Sequence, residues 1–154
     1  MSANRRKLLA FIILPLAVGA IAGFLTRNSM SLYNSLNRPS FSPPGWVFPL
    51  VWTILYILMG LSSYLIATSP SPKKQGALLL YAVQLFLNFL WSLVFFGLKN
   101  YLLAFLVLLL LWYAIFRMIR SFFQIDAAAA LLQIPYLLWV TFAGFLNLAI
   151  VFMN

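Results

Sequence analysis

The chain has 154 residues, of which 65% are hydrophobic and only 7% are charged. A soluble domain carries about 25% charged residues, so this chain has too few charges to cover a surface in water. In a bilayer the surrounding medium is apolar, and about 20 apolar residues suffice for each spanning helix. We therefore predict an all-α integral membrane protein with one domain, residues 1–154, built as a bundle of five transmembrane helices.

The residue types that carry most acid–base and metal chemistry are absent or rare. The sequence has no cysteine, no histidine and one acidic residue, Asp126. This composition excludes disulfides, thiolate and imidazole metal sites, catalytic triads and paired carboxylates, so we expect no metal site and no cofactor. The net charge of +9 comes from Lys and Arg at the ends of apolar runs, which favours contacts with lipid headgroups over nucleic-acid binding.

Apolar runs predict the transmembrane helices in chain order. The first run follows Arg5, Arg6 and Lys7 and lacks a small-residue cleavage site, so we interpret it as a retained helix rather than a signal peptide. Asp126 precedes the last run and is placed to cap its N-terminus. The predicted helices are about 8–25, 46–67, 77–97, 101–119 and 127–152.

The segment of about residues 26–45 is long for a connection between packed helices, and it is rich in Pro, Ser and Asn. Long loops of this kind tend to be lids or binding loops, so we predict that it covers a pocket. In the first helix, Gly19 and Gly23 allow a close helix approach, which we assign to packing within the chain rather than to a dimer interface.

The distribution of Lys and Arg predicts the orientation. With a cytoplasmic N-terminus, seven of these residues lie inside: Arg5, Arg6, Lys7, Lys73, Lys74, Arg117 and Arg120. Three lie outside: Arg27, Arg38 and Lys99. The positive-inside rule therefore favours a cytoplasmic N-terminus and an outer C-terminus. We expect a multi-pass protein of the cell (plasma) membrane with the predicted lid on the outer side.

Three predicted helices carry aromatic and polar side chains at helical spacing along one face: Trp52, Tyr56 and Ser63; Gln84, Asn88 and Trp91; and Tyr136, Trp139, Ala143 and Asn147. Each stripe alone is explained by interfacial anchoring or by hydrogen bonds between helices. Because three stripes recur, we predict an aromatic-lined cavity for a flat apolar ligand. The fourth helix is nearly pure Leu, Val, Phe and Ala over 102–111, and we expect it to face lipid or another subunit.

Several short motifs resemble those of the translocator protein / tryptophan-rich sensory protein (TspO/MBR) family, once called the peripheral-type benzodiazepine receptor. The matching stretches are Arg38-Pro39-Ser40-Phe41-Ser42-Pro43-Pro44-Gly45-Trp46-Val47, Val51-Trp52, Leu55-Tyr56, Met59-Gly60, Gln84-Leu85, Asn88, Trp91, Phe95-Phe96-Gly97, Pro135-Tyr136-Leu137, Trp139, Phe142-Ala143 and Leu146-Asn147. They fall in order over about residues 10–150, and the short chain resembles a bacterial member.

The resemblance implies a bundle, often a homodimer, that binds porphyrins, sterols and synthetic isoquinoline carboxamides or benzodiazepines. By motif, the ligand-binding residues would be Tyr33, Pro43, Trp52, Asn88, Trp91, Trp139 and Ala143. The aromatic and polar stripes add Tyr56, Tyr136 and Asn147 as ligand-binding candidates. Residues 148–154 lack the Tyr and the basic residue of the animal sterol motif, so cholesterol is not expected as the native ligand.

Three functions are open from the sequence. The first is a porphyrin sensor or transporter, in which Arg27 and Arg38 near the outer mouth would meet the propionates. The second is an enzyme, since some relatives degrade porphyrins in light and oxygen; here Trp52 and Trp139 would be the catalytic redox partners. The third is a structural protein whose pocket is vestigial.

Overall fold

The computed structural model describes residues 2–154, and within this range the chain forms helices and no strand. The helices are α1 (Ala3–Leu25), α2 (Ser29–Ser35), α3 (Val47–Ala67), α4 (Lys74–Ser92), α5 (Tyr101–Phe123), α6 (Ala127–Leu132) and α7 (Ile134–Met153). A π-helical turn, Leu93–Gly97, extends α4. Across residues 2–154, five helical segments are long and apolar enough to cross a membrane, counting α6 and α7 as one. The predicted all-α membrane bundle is confirmed.

Several helix ends differ from the predicted elements: α1 begins at Ala3 rather than at about residue 8, α4 begins at Lys74 rather than at about 77, and α5 ends at Phe123 rather than at about 119. Two larger features also differ. The predicted lid contains a helix, α2, and the last predicted helix is interrupted at Gln133. Pro135 has no N–H to donate to Leu131, so the helical hydrogen bonding restarts with proline in the first turn of α7. The predicted cap at Asp126 is confirmed, since its carboxylate accepts from the backbone nitrogens of Ala128 and Ala129 at 2.9 and 3.3 Å.

The close packing of α1 against α3 depends on one glycine. A Cβ added at Gly60 would lie 2.5 Å from the Cα of Ile12 and 2.8 Å from the carbonyl oxygen of Phe11. These are backbone atoms, which cannot rotate away as a side chain can. The absence of a side chain at Gly60 therefore sets how near α1 approaches the rest of the bundle.

The fourth predicted helix, α5, is not simply a lipid-facing helix. It packs along α4 and α7. One face is buried, through Ala104, Val107, Leu108, Leu111, Ala114, Ile115, Met118, Ile119 and Phe122. The other face is exposed. The expectation from the sequence was wrong for half of the helix because the interior of a membrane protein is as apolar as its lipid face. Among the five spanning segments, α1 has the smallest buried share, with only Pro15 and Ala22 buried along it.

Replacing Gly60 by alanine tests the packing of α1 on α3. We expect Gly60→Ala to lower the thermal unfolding midpoint in detergent, with a destabilisation of about 1–3 kcal/mol, because the added methyl group overpacks the contact. Gly76→Ala is the matched control, since Gly76 lies in the first turn of α4 and an added Cβ there meets no atom within 4 Å. Equal midpoints for the two variants would contradict the role of Gly60.

Candidate ligand-binding cavity

A cavity of about 540 Å³ lies in the half of the bundle nearest α2. Helices α1, α2, α3 and α7 and the end of α4 surround it. Its lining consists of Leu16, Gly19, Ala20, Ala22, Gly23, Thr26, Ser29, Met30, Tyr33, Phe48, Pro49, Trp52, Thr53, Tyr56, Trp91, Ser92, Phe95, Phe96, Trp139, Ala143, Leu146, Asn147 and Ile150. The volume and the largely apolar, aromatic wall are those of a site for a small hydrophobic molecule.

Three tryptophans from three helices form much of this wall. Trp52 stacks on Tyr56 with ring centroids 5.6 Å apart, and Trp139 meets the edge of Phe48 at 5.7 Å. The indole N–H of Trp91 donates to the Asn147 side-chain oxygen at 3.0 Å. These contacts hold the aromatic rings in fixed orientations around the cavity.

A chain of buried hydrogen bonds ties together the helices beside the cavity. The Tyr56 hydroxyl donates to the Asn88 side-chain oxygen at 2.9 Å, and the Asn88 amide nitrogen donates to the Tyr136 hydroxyl at 2.8 Å. The Tyr136 hydroxyl in turn donates to the Gln84 side-chain oxygen at 2.7 Å. This tyrosine–amide chain, Tyr56–Asn88–Tyr136–Gln84, joins α3, α4 and α7 in a region without bulk water.

The segment of residues 26–45 is held by contacts within itself and with α3. Tyr33 on α2 is buried, and its hydroxyl donates to the Pro43 carbonyl oxygen at 2.6 Å. The ring of Tyr33 also packs against the edge of Phe48 at 4.9 Å. The guanidinium of Arg38 lies 4.1 Å above the Tyr33 ring and donates to the Ser42 hydroxyl at 3.4 Å. Arg38 therefore stabilises the conformation of this segment.

The same segment is fastened to the end of α7 by two asparagines. The backbone nitrogen of Asn37 donates to the side-chain oxygen of Asn154 at 3.1 Å. The Asn154 amide nitrogen donates back to the Asn37 carbonyl oxygen at 2.9 Å, and the Asn37 amide nitrogen donates to the Met153 carbonyl oxygen at 3.3 Å. The segment that carries α2 is thus linked to the helix that carries Trp139.

The structure brings together most of the residues predicted to bind ligand. Seven of them line the cavity: Tyr33, Trp52, Tyr56, Trp91, Trp139, Ala143 and Asn147. Three do not. Pro43 supports Tyr33 through its carbonyl group, and Asn88 and Tyr136 lie in the buried tyrosine–amide chain. The structure shows where these residues lie. That each of them contacts a ligand stays a prediction.

Sequence reasoning missed the contribution of α1 to the cavity. Its lining residues include Gly19, Gly23 and Thr26. A Cβ at Gly19 would overlap the ring of Tyr56, whereas one at Gly23 would meet no atom within 4 Å. The spacing of the two glycines was the available signal, but it indicated close packing at both positions. At Gly23 the missing side chain instead leaves the cavity open.

The fold and the cavity define a multi-pass membrane protein with an aromatic-lined pocket inside its bundle. The model of the TspO/MBR family matches residues 11–153. This chain belongs to that family, as the sequence motifs predicted.

Three relatives illustrate the range of the similarity. The "Tryptophan-rich sensory protein" of Cereibacter sphaeroides is 44% identical over 115 residues, which cover 75% of this chain and 72% of that protein. The "Tryptophan-rich protein TspO" of Archaeoglobus fulgidus is 37% identical over 152 residues, covering 98% and 99%. The "Translocator protein" of Homo sapiens is 34% identical over 144 residues, covering 90% and 85%.

Removing the Tyr136 hydroxyl tests whether the buried chain holds the helices together. We expect Tyr136→Phe to destabilise the protein by about 1 kcal/mol, because it leaves the Asn88 donor and the Gln84 acceptor unpaired. The measurement is the thermal unfolding midpoint in detergent. Tyr113→Phe is the matched control, since Tyr113 is exposed on α5 and accepts a hydrogen bond from the exposed Arg117. A Tyr136→Phe midpoint as high as that of the control would contradict the role of the chain.

Proposed function

We propose that this protein binds flat hydrophobic molecules, above all porphyrins, in the cavity, and acts as a tetrapyrrole sensor or transporter. The observation that carries the proposal is a 540 Å³ cavity walled by Trp52, Trp91 and Trp139. Aromatic rings offer large, rigid apolar faces, which suit a flat conjugated ligand. The same cavity would accept synthetic ligands of the isoquinoline carboxamide or benzodiazepine type. Relatives named sensory protein and translocator protein support a role in sensing or transport.

The arrangement in the membrane is part of the proposal. We place the protein in the cell membrane with its N-terminus in the cytoplasm and the covered end of the cavity outside. The excess of Lys and Arg at the opposite end supports this orientation. Within that end, the Lys73 ammonium donates to the Gln124 side-chain oxygen at 3.4 Å. We also propose a homodimer, which the family resemblance implies.

Substitution of the cavity tryptophans tests the binding site. We expect Trp52→Ala and Trp139→Ala each to weaken porphyrin binding about tenfold, and the corresponding Phe variants to weaken it less, because part of the aromatic wall is kept. The measurement is a fluorescence titration of the purified protein in the dark.

Trp112→Ala is the matched control for these variants. Trp112 lies on α5, stacks on Phe116 and donates to the Thr141 hydroxyl at 2.8 Å, away from the cavity lining. Its loss removes an indole of the same size without touching the proposed site. Unchanged affinity in both cavity variants would rule out this location for the ligand.

A failure of any flat aromatic ligand to raise the unfolding midpoint would favour a structural role with a vestigial pocket.

The alternative function is light- and oxygen-dependent degradation of porphyrin. The observation that favours it is the stacked pair of Trp52 and Tyr56 in the cavity wall, since both side chains are oxidisable and would contact the ligand. A photoexcited porphyrin would supply the driving force, with oxygen as the oxidant. The sequence offers no His or Cys and a single carboxylate side chain for acid–base or nucleophilic catalysis.

Illumination separates binding from catalysis. If the protein is an enzyme, a degradation product of porphyrin accumulates only in light and oxygen. It accumulates more slowly in the Trp52→Phe and Trp139→Phe variants than in the wild type. The Phe variants are chosen because we expect them to bind porphyrin more tightly than the Ala variants do. The measurement is the absorption spectrum of bound porphyrin with time, at equal occupancy, beside a dark control. Equal rates in the wild type and both variants would show that the protein only contains the photochemistry of its ligand.

A further inference from the structure

A second concave surface adjoins the cavity near the end of α1 and along α2. It has a volume of about 520 Å³ and is lined by Leu25, Thr26, Arg27, Asn28, Ser29, Ser31, Leu32, Ser35, Phe96, Gly97 and Lys99. We call it the basic groove. Thr26, Ser29 and Phe96 line both the groove and the cavity, so the two spaces share a wall. The groove differs from the cavity in charge, since Arg27 and Lys99 line the groove and no charged side chain lines the cavity.

The cations of the basic groove have no carboxylate side chain near them. Arg27 follows α1, and Lys99 lies in the turn before α5. The only acidic residue in the sequence, Asp126, follows the other end of α5. Because α5 has 23 residues, about 35 Å of helix separates Asp126 from the end that holds Lys99. The positive charge of the groove is therefore uncompensated by side chains and is available to an external anion.

The backbone at Lys99 adds an independent observation. Its φ of 55° lies in the left-handed region, where a lysine costs about 1 kcal/mol or more relative to the usual conformations. Glycine or asparagine adopts this conformation more readily. The preceding π-helical turn leads into this residue, with the Leu98 nitrogen donating to the Leu93 carbonyl oxygen at 2.9 Å. The strained residue is thus the one that brings an ammonium group to the groove.

Arg27 is oriented by its own helix end. Its guanidinium lies 5.1 Å from the centroid of the Phe24 ring, and one nitrogen donates to the Phe24 carbonyl oxygen at 3.5 Å. A guanidinium has five N–H donors in a planar fork, which matches the oxygens of a carboxylate or a phosphate. Arg38, the other arginine expected at the mouth, is stacked over Tyr33. Arg27 and Lys99, and not Arg38, therefore line the groove.

We propose that the basic groove binds the oxyanion group, carboxylate or phosphate, of an amphiphile whose apolar body lies in the adjoining cavity. This inference rests on the proposed function, because it assumes that the cavity holds an apolar ligand. The cavity supplies apolar and aromatic surface, and the groove supplies Arg27, Lys99 and the hydroxyls of Ser29 and Ser31. The oxyanion has two sources: an acidic ligand, or an anionic lipid with its chain in the cavity.

The first arm of the test compares a dicarboxylic porphyrin with its dimethyl ester in the dark, on protein in zwitterionic nanodiscs. We expect Arg27→Gln and Lys99→Gln each to lower affinity for the diacid about three- to fivefold, and the double variant about tenfold. Affinity for the ester stays unchanged, and added salt weakens only the diacid. Lys74→Gln is the matched control, since Lys74 begins α4 at the opposite end of the bundle.

The second arm tests the lipid as the source of the oxyanion. Part of the zwitterionic lipid is replaced by phosphatidylglycerol, and the thermal unfolding midpoint is measured without porphyrin. If a lipid phosphate occupies the groove, phosphatidylglycerol raises the midpoint of the wild type and of Lys74→Gln by the same amount. The rise is then lost in the Arg27→Gln and Lys99→Gln variants. This result supports the groove and assigns it to the membrane.

The outcomes separate the groove from the proposed function. Suppose that the ester binds the wild type, which supports the cavity as a binding site. If the groove variants then change neither the preference for the diacid over the ester nor the effect of phosphatidylglycerol, the groove proposal is overturned and the proposed function is unaffected. Equal weakening of the diacid and the ester also overturns it, because the variants then disturb the cavity. If neither porphyrin binds the wild type, the proposed function fails, and the lipid arm alone decides the groove.

Discussion

The interior of a bilayer offers no water to polar groups, so each buried donor or acceptor requires a partner inside the protein. The tyrosine–amide chain of Tyr56, Asn88, Tyr136 and Gln84 supplies such partners between α3, α4 and α7, and it leaves the Gln84 amide nitrogen without one. Association of apolar helices in lipid has little hydrophobic driving force of its own. The polar side chains therefore decide which helix faces turn inward, and the tryptophans on the same faces turn inward with them.

The spacing of polar and aromatic residues explains how much of this structure the sequence predicts. Runs of apolar residues predict the spanning helices. The three- and four-residue spacings within Gln84, Asn88 and Trp91, and within Trp139, Ala143 and Asn147, predict which faces meet. Spacing cannot tell a buried apolar face from a lipid-facing one, so half of α5 was assigned wrongly. Spacing also cannot tell whether a small residue such as Gly23 allows close packing of another helix or leaves an empty space. The contribution of α1 to the cavity lining was missed for this reason.

Because the sequence has almost no acidic side chains and no His or Cys, recognition of a ligand in the cavity would depend on shape and aromatic surface. The cavity has no ionisable acid or base among its lining residues other than the hydroxyls of Tyr33 and Tyr56, and both hydroxyls donate to protein partners. In the proposed function, such a wall would select a ligand by its flatness and apolar area. Selectivity among flat ligands would then depend on the basic groove, where Arg27 and Lys99 would distinguish an acidic molecule from a neutral one.

The tyrosine–amide chain also has a direction. Every donated hydrogen points the same way, from Tyr56 through Asn88 and Tyr136 to Gln84, so the bond dipoles add head to tail and each bond polarises the next. Because the proton of the Tyr56 hydroxyl is committed to Asn88, its oxygen has only lone pairs left for any other group. A ligand atom that reaches this oxygen must donate a hydrogen, whereas one at Arg27 must accept. The two ends of the proposed site would therefore have opposite hydrogen-bonding sense, which would favour a single orientation for any molecule that spans the cavity and the basic groove.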